Sequence, residues 1–328
     1  MTELFIPATL RGMWPAVRHR LEYFVFRLAV CLIDCLSPRA AARWANRLAT
    51  IFCDWLPARW TRTHVIEENL RRAFGSGLSD RDLARLRHGM WVHLFRTVIE
   101  MVQAPRKLHL QSYRRIIDFD DLTDTNDAFL SGRRVLMLGG HFGSWEIGTL
   151  LFGLWGFRMG IVAREMDNPY LQRWFAQERQ RTGHQLLAKK GDFDEMLTLL
   201  QRGGNVGMLC DQDAGSRGLF VDFFGAPAST FKSIALLALE YDALIVVGSA
   251  IRLPDDFDRY GWSRFRMQKE AIIDPREITD KDPVRDITQR FTLALEQSVR
   301  RAPEQYFWVH RRWKSEPRRR PAKPARAA

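Results

Sequence analysis

The sequence has only four cysteines, and none belongs to a pair with the spacing of metal ligands. Cys31 and Cys35 are four residues apart in an apolar stretch predicted to be helical, so we interpret them as small hydrophobic residues. Cys53 and Cys210 are isolated from them and from each other. This usage predicts neither a metal site nor a disulfide framework, and it favours a reducing cytoplasmic compartment.

Long apolar runs are also missing. A membrane-spanning helix needs an apolar stretch of about 18 or more residues, and the best candidate, residues 21–36, is interrupted by Glu22, Arg27 and Asp34. The first residues lack a positively charged segment that leads into an apolar core with a small-residue cleavage site. The sequence therefore predicts neither a full membrane span nor a cleavable signal.

Three widespread catalytic motifs are absent as well. The chain contains no GxSxG nucleophile motif, no P-loop and no GxGxxG dinucleotide fingerprint. These absences exclude the commonest hydrolase, kinase and dehydrogenase interpretations. Any catalytic activity must therefore depend on a different set of residues.

Positive charge is in excess and is unevenly distributed. The chain has 50 Lys and Arg residues against 38 Asp and Glu residues, a net charge of +12, and much of the surplus lies after Arg300. Residues 315–328, mostly Pro, Arg and Ala, predict a basic disordered tail. Such a tail binds phosphates or merely keeps a protein in solution. A nucleic-acid partner is not predicted, because the basic residues are not combined with the exposed aromatics of an RNA-binding module.

Residues 16–56 are predicted to be helical and rich in apolar side chains. Charged residues at seven-residue spacing share one face of the first helix: Arg20, Arg27 and Asp34. Arginines at four-residue spacing form a basic face further on: Arg39, Arg43 and Arg47. A narrow polar stripe on a wide apolar surface is typical of a helix in a membrane interface, although a helix packed on its own domain gives the same pattern. We predict N-terminal membrane-associated helices over residues 1–60.

The remainder of the chain predicts an α/β fold. A helical block over residues 64–104 has Ser79 as a candidate N-cap. After Gly132, short apolar runs alternate with helical stretches, which indicates a mostly parallel central sheet covered by helices. The predicted strands are 135–138, 160–163, 186–188, 206–210, 244–251 and 264–268, and the predicted helices are 144–155, 168–182, 192–202, 232–241 and 283–300.

A glycine-flanked histidine follows the first strand of this sheet. His141 is expected at the carboxyl end of that strand, where open α/β sheets place their ligands. Ser144 is a candidate cap for the next helix, and Glu146 in its first turn can reach back to the imidazole. A histidine held by a carboxylate can take a proton from a hydroxyl, while backbone N–H groups at the helix start bind the oxyanion. A buried structural histidine is the alternative.

Five regions, in order along the chain, carry a resemblance to one family: Gly140–Glu146 (GHFGSWE), Arg164–Tyr170 (REMDNPY), Arg179–Gly183 (RQRTG), the block of Asp211–Asp213 (DQD) with Phe220–Thr230 (FVDFFGAPAST), and Tyr306–Lys314 (YFWVHRRWK). The first is similar to an HxxxxE/D motif. Together they resemble the bacterial lysophospholipid acyltransferase superfamily, and most of all its branch of late lipid A acyltransferases, the lauroyl and myristoyl transferases. The resemblance covers about residues 69–314.

The resemblance implies roles for particular residues. His141 would be the general base with Glu146 as its partner, and the expected substrate-binding residues are Arg164, Arg179, Asp211 and Asp213. From the sequence pattern alone, Arg179 could equally be an exposed helix charge, and the two aspartates could cap a turn. Phe223 and Phe224 could line an acyl tunnel or pack in the core.

The expected protein is thus an O-acyltransferase with its catalytic domain over residues 61–314. The resemblance implies acyl-carrier protein or acyl-CoA as the acyl donor. It implies a lipid as the acceptor, and a lipid A precursor is the acceptor that we expect before any other. Neither a metal nor a redox cofactor is expected. The membrane surface is the expected location, on the cytoplasmic face of the bacterial inner membrane. The alternatives are an acyltransferase for a lysophospholipid, an aminolipid or a mannosylated phosphatidylinositol, or a basic membrane scaffold without activity.

Overall fold

The computed structural model describes residues 8–75, 77–188 and 191–317. A seven-stranded sheet with the order β1-β9-β8-β2-β5-β3-β4 is accompanied by a two-stranded sheet formed by β6 and β7. The strands are β1 Ile117–Phe119, β2 Val135–Gly139, β3 Met159–Ala163, β4 Gln185–Ala188, β5 Asn205–Leu209, β6 Leu219–Phe223, β7 Ala226–Thr230, β8 Leu244–Arg252 and β9 Phe265–Ile273.

Helices surround the large sheet and form the whole N-terminal part that the structure describes. The α-helices are α1 Ala8–Asp34, α2 Pro38–Thr50, α3 Ala58–Thr61, α4 Thr63–Phe74, α5 Asp80–Lys107, α6 Tyr113–Ile116, α7 Thr123–Leu130, α8 Trp145–Leu154, α9 Pro169–Gln180, α10 Phe193–Gln201, α11 Ser233–Glu240, α12 Phe257–Tyr260 and α13 Pro283–Arg301. A π-helical segment, Ile51–Trp55, continues α2, and short 3-10 turns occur at Pro275–Glu277 and Pro303–Gln305.

The sheet is mostly parallel, which confirms the predicted fold class. Strands β2, β3, β4, β5 and β8 pair in parallel, and β1 pairs in parallel with β9. Only β8 and β9 are antiparallel to each other among the neighbours of this sheet in the described part of the chain. Their connection, residues 253–264, contains only the one-turn helix α12 (Phe257–Tyr260) and reverses the chain, so the two strands run in opposite directions.

Several local features differ from the sequence-based prediction, which did not contain strand β1. The hairpin of β6 and β7 was not predicted as strands. It turns at Phe224 and Gly225, which both have positive φ angles (56° and 74°), as a two-residue hairpin turn requires. The predicted block 64–104 is two helices, because the chain turns at Gly75 (φ 80°) before α5 begins. Ser79 caps α5 as predicted, and its hydroxyl accepts a hydrogen bond from the Asp82 N–H at 3.1 Å.

Helix α1 packs on α9 and α5 with one face only. Its Phe26 ring contacts Trp174 and Phe175 of α9, and Asp34 forms an ion pair with Arg106 of α5 at 2.9 Å. The predicted charged stripe thus borders the packed face. A row of apolar side chains remains exposed on the other side of α1, and we call it the α1 apolar face: Val17, Leu21, Phe24, Val25, Leu28 and Leu32.

None of the helices in the described residues is both long enough and apolar enough to cross a bilayer. The predicted tail begins at residue 315, but residues 318–328 lie outside the described residues, as do residues 1–7. The division into membrane-associated helices at 1–60, a catalytic domain at 61–314 and a disordered tail at 315–328 stays a prediction.

A buried ion pair ties α5 to the end of β8. The Arg252 guanidinium donates two hydrogen bonds to the Glu100 carboxylate, at 2.5 and 2.7 Å, and both side chains are almost completely buried. Arg96, one turn before Glu100, adds a two-bond contact with Asp255 at 2.6 and 2.7 Å. Helix α5 and the end of β8 are therefore joined by a buried charge pair, which the partly exposed Arg96–Asp255 contact extends toward the surface.

Removing one partner of this buried pair should destabilise the fold strongly. We expect Glu100→Ala to lower the free energy of unfolding by about 3–5 kcal/mol, because the Arg252 charge stays buried without its carboxylate. The matched control is Glu68→Ala, which breaks an exposed helical pair with Arg72 and should cost about 0–1 kcal/mol. Denaturant titration measures both values, and equal losses would show that the Glu100 pair is not effectively buried.

Candidate active site

A cavity of about 920 Å³ opens at the carboxyl ends of the central parallel strands. Its rim carries polar side chains: His141, Glu146, Arg164, Arg179, Gln212 and His310. Apolar side chains form its walls on both sides of the sheet, from α8 with β3 and from α10 with α11: Phe152, Met159, Ile161, Met196, Ile234 and Leu237. The cavity thus combines a polar entrance with an apolar interior, as ligand sites commonly do.

His141 is held at this rim by Asp211. Asp211 follows β5, and β5 is the parallel neighbour of β2, which precedes His141. One Asp211 carboxylate oxygen contacts the His141 ring Nδ1 at 2.8 Å, and the other accepts the His141 backbone N–H at 2.8 Å. This arrangement puts the proton on Nδ1 and leaves Nε2 as the basic nitrogen of a neutral imidazole.

The expected partnership between His141 and Glu146 is corrected by the structure. Glu146 accepts two hydrogen bonds from the Arg179 guanidinium, at 2.6 and 3.2 Å. Glu146 lies in the first turn of α8 and Arg179 in the last turn of α9, so the two helices present them to each other. Arg179 is therefore part of the cavity rim, not the solvent-exposed helix charge of the alternative. The carboxylate that orients the imidazole comes instead from the adjacent strand.

The charges of this cluster stabilise one another despite burial. Burial raises the pKa of Asp211, but the attraction of His141 and the hydrogen bonds from its ring and backbone outweigh this and leave the pKa below its usual value. Burial lowers the pKa of Arg179, but the Glu146 carboxylate more than offsets it, so the net shift is upward. Asp211 is thus anionic and Arg179 cationic at neutral pH.

Asp211 also has a buried basic neighbour. Arg312 is 2% exposed, and it donates hydrogen bonds to the Ser229 carbonyl oxygen at 2.5 Å and to Thr230 Oγ1 at 2.6 Å. Its charge helps to lower the pKa of Asp211. Sequence reasoning gave Arg312 no role, although it lies in the quoted segment Tyr306–Lys314. That motif was the only signal for it, because its closeness to Asp211 arises from long-range packing.

The other predicted substrate-binding residues fall in different places. Arg164 follows β3 and is exposed at the cavity rim. Asp213 does not line the cavity, and it accepts hydrogen bonds from the Gly215 N–H (3.0 Å) and from the Ser315 N–H (3.2 Å) and hydroxyl (3.0 Å). For Asp213, the structure therefore supports the turn-capping alternative. For Asp211, it supports a role in holding His141 instead of substrate contact.

Two more expectations concern the start of α8: the cap by Ser144 is corrected, and an oxyanion site at the N–H groups of the first helical turn stays a prediction. The Ser144 side chain does not cap α8, and its buried hydroxyl has no hydrogen-bond partner among the described residues. The N–H groups of Gly143 and Ser144 donate to the carbonyls of Gln305 and Ala250 at 3.0 and 2.7 Å, so neither is available to an oxyanion. Gly143 itself has a φ of 59°, and a Cβ there would lie 2.3 Å from the Ala250 carbonyl oxygen. Only glycine fits this loop.

Residues 13–315 match the family model described as bacterial lipid A biosynthesis acyltransferase. The chain belongs to this family. It is 27% identical over 207 residues to the lipid A biosynthesis palmitoleoyltransferase of Escherichia coli K12, covering 62% of this chain and 63% of that protein. It is 30% identical over 190 residues to the lipid A biosynthesis lauroyltransferase of the same organism, covering 56% and 58%.

A third relative is a lipid A biosynthesis acyltransferase of Haemophilus influenzae, 27% identical over 186 residues and matched over 56% of each chain. The matched segments thus span less than two thirds of the length of these curated relatives. The family membership confirms the resemblance to lipid A acyltransferases that the five motifs carried.

The two adjacent phenylalanines of the Phe220–Thr230 motif pack in the core of this lipid A acyltransferase family member. Phe223 and Phe224 are buried outside the cavity lining, and their rings contact those of Trp313 and Trp308 in tilted and edge-on arrangements. The core-packing alternative for these two residues is therefore confirmed.

A thiol lies beside the candidate base but is not a suitable nucleophile. Cys210 directly precedes Asp211, is 1% exposed, and its Sγ lies 3.6 Å from the Gly139 carbonyl oxygen. Burial, and then the negative charge of Asp211, raise the pKa of this thiol far above its usual value. Because the thiolate is the reactive form, a covalent cysteine mechanism at this position is disfavoured.

We therefore expect Cys210 to resist alkylation in the folded protein. N-ethylmaleimide should modify the exposed Cys31 and Cys35 first, while Cys210 reacts only after unfolding, because its thiol is inaccessible and protonated. Mass spectrometry of peptides from folded and urea-unfolded protein measures this order. Native labelling of Cys210 as fast as that of Cys31 would contradict the buried, protonated thiol.

Proposed function

We propose that this chain transfers a fatty acyl group from a thioester to a hydroxyl of a lipid A precursor, with His141 as the general base. The observation that carries the proposal is the His141–Asp211 pair at the polar rim of an apolar cavity. The family membership supports the reaction class, and the names of the relatives support lipid A biosynthesis as the setting.

In the proposed reaction, His141 Nε2 takes the proton of the acceptor hydroxyl while its oxygen attacks the thioester carbonyl carbon. Asp211 stabilises the imidazolium that forms, because its carboxylate accepts the Nδ1–H. The tetrahedral intermediate then expels the thiolate, which receives the proton from Nε2. The products are an ester and a free thiol, so the step needs neither a metal nor a redox cofactor.

The Glu146–Arg179 pair holds a guanidinium in a fixed place at the same rim. Both bonds of the pair hold the guanidinium plane in one orientation, and part of the Arg179 side chain remains exposed to the cavity. A guanidinium in this position can bind an anionic group of the acceptor or the oxyanion of the intermediate. Under this proposal Glu146 supports catalysis through Arg179, and Arg164 binds the polar part of a substrate at the edge.

The apolar interior is proposed to accept the acyl chain. Acyl-carrier protein is the proposed donor and acyl-CoA the alternative, since either presents a fatty acid as a thioester. The α1 apolar face, together with the exposed Trp44 and the arginines of α2, supports a location at a membrane surface. The cytoplasmic face of the inner membrane is the proposed surface.

Loss of either member of the His141–Asp211 pair should abolish most of the activity. Asp211→Asn should lower acyl transfer on the order of 10³–10⁴-fold, because an amide cannot stabilise the imidazolium and can hold the wrong tautomer. His141→Ala should be at least as severe. The matched control is Asp213→Asn, which removes the same charge two residues along and should stay within a few-fold of the unsubstituted protein.

Purified protein, a radiolabelled acyl thioester and a lipid A precursor make up this assay. If Asp213→Asn lost as much activity as Asp211→Asn, the assignment of Asp211 as the partner of His141 would be wrong. Mass spectrometry of the lipids from cells with and without the gene identifies the acceptor. If the added acyl chain were found on a phospholipid instead of lipid A, the phospholipid would be the acceptor. If no lipid gained an acyl chain, a membrane scaffold without activity would be favoured.

Membrane binding should depend on two physically different contributions. Phe24→Asp with Leu28→Asp charges the α1 apolar face, and we expect it to release the protein from anionic vesicles at any salt concentration. Arg43→Glu with Arg47→Glu should weaken binding mainly at low salt, because each basic residue near an anionic surface contributes about 1 kcal/mol, which salt screens.

Co-sedimentation with vesicles at low and high salt measures both effects, and activity on detergent-dispersed lipid shows that the variants remain folded. If the Phe24→Asp, Leu28→Asp protein still sedimented with vesicles at high salt, the α1 apolar face would not be the membrane contact.

A further inference from the structure

A buried chain of side chains runs from α5 to the loop that carries His141. We call Glu100, Arg252 and His93 the α5 clamp. Glu100 accepts two hydrogen bonds from Arg252, and a third donor of that guanidinium, Nη1, contacts His93 Nδ1 at 2.5 Å. The other nitrogen of the His93 ring, Nε2, lies 3.1 Å from the Gly143 carbonyl oxygen. The clamp thus ends on the backbone two residues after His141.

The chemistry of the partners fixes the direction of each hydrogen bond in the clamp. A guanidinium has donors and no acceptor, so His93 Nδ1 must accept from Arg252. The proton of the neutral ring is therefore on Nε2, and it points at the carbonyl oxygen of Gly143. Burial, and then the positive charge of Arg252, hold the pKa of His93 well below its usual value, so the ring stays neutral.

The same loop is tied down by neighbouring backbone contacts. The Phe307 N–H donates to the His141 carbonyl oxygen at 3.0 Å, and the Gly143 N–H donates to Gln305 at 3.0 Å. The Gln305 side chain in turn bonds both backbone groups of Arg252, each at 2.9 Å. His93 joins this set from α5 through its hydrogen bond to Gly143, and it does not line the cavity.

We propose that His93 is a positioning residue that fixes the His141 loop through its hydrogen bond to Gly143. The proposal rests on the proposed function, in which the His141 ring must meet an acceptor hydroxyl in one orientation. A displacement of about 1 Å at a reacting group can reduce a rate on the order of 10²-fold, even when the substitution lies outside the site. The effect should fall on kcat and leave KM nearly unchanged, because His93 contacts no part of the cavity.

Two amide variants separate positioning from stability. His93→Gln can place an amide N–H where Nε2 lies and so keep the bond to Gly143, but it fits Arg252 less well. His93→Asn places its oxygen near Nδ1 and keeps the contact with Arg252, but it is too short to reach Gly143. We expect the His93→Gln protein to retain kcat within a few-fold and the His93→Asn protein to have a kcat lower on the order of 10²-fold. The His93→Asn protein should nevertheless be the more thermally stable of the two.

The controls are Gln103→Leu and His141→Ala. Gln103 is equally buried on α5 and bonds the carbonyls of Ile33 and Leu36, away from the loop, so its loss should lower the melting temperature and leave kcat within about two-fold. If kcat followed melting temperature across His93→Gln, His93→Asn and Gln103→Leu, the role of His93 would be structural only. If His141→Ala kept its activity, the proposed function would fail instead.

Discussion

The two hydrogen bonds from Asp211 to residue 141 are the contact on which the site depends. They join the ends of neighbouring parallel strands, so the register between β2 and β5 sets the position of the imidazole. One bond holds the backbone and the other the ring, and a shift of either strand would break both. The pairing of Leu138 with Met208 and of Gly139 with Leu209, at the carboxyl ends of these strands, therefore sets the geometry of the His141–Asp211 pair.

This contact is stable only because the surroundings of Asp211 compensate for its burial. A carboxylate that is 4% exposed would favour its neutral form if it had no partners. His141 on one side and the buried Arg312 on the other keep it charged. Arg312 is itself held by oxygens of β7, so the β6–β7 hairpin contributes to the electrostatics of a site that it does not touch. The aromatic packing of Phe223 and Trp313 anchors that hairpin in turn.

The sequence predicted the parts of this molecule that depend on local pattern. Six of the seven strands of the large sheet, the longer helices between them, the N-cap Ser79 and the place of His141 at a strand end all follow from periodicity and turn residues. The partner of His141 did not follow, because nothing local indicates that Asp211, seventy residues away, lies closer to the ring than Glu146 does. The hairpin at Phe224 and the contact of His93 with Gly143 also depend on packing between distant segments.

The spacing between His141 and Glu146 nevertheless has a physical meaning. Five residues carry the chain from a strand end through a glycine turn into the first turn of α8, which places both side chains on one cavity rim. Two carboxylates are then divided between two basic side chains: Asp211 holds the imidazole of His141, which gains and loses a proton in the proposed reaction, and Glu146 holds Arg179, which stays charged. If Glu146 held the imidazole instead, the Arg179 charge would be half-buried without a partner, at a cost that few sites can offset. A local His–Glu motif can therefore mark an active site even though its acid serves the neighbouring arginine.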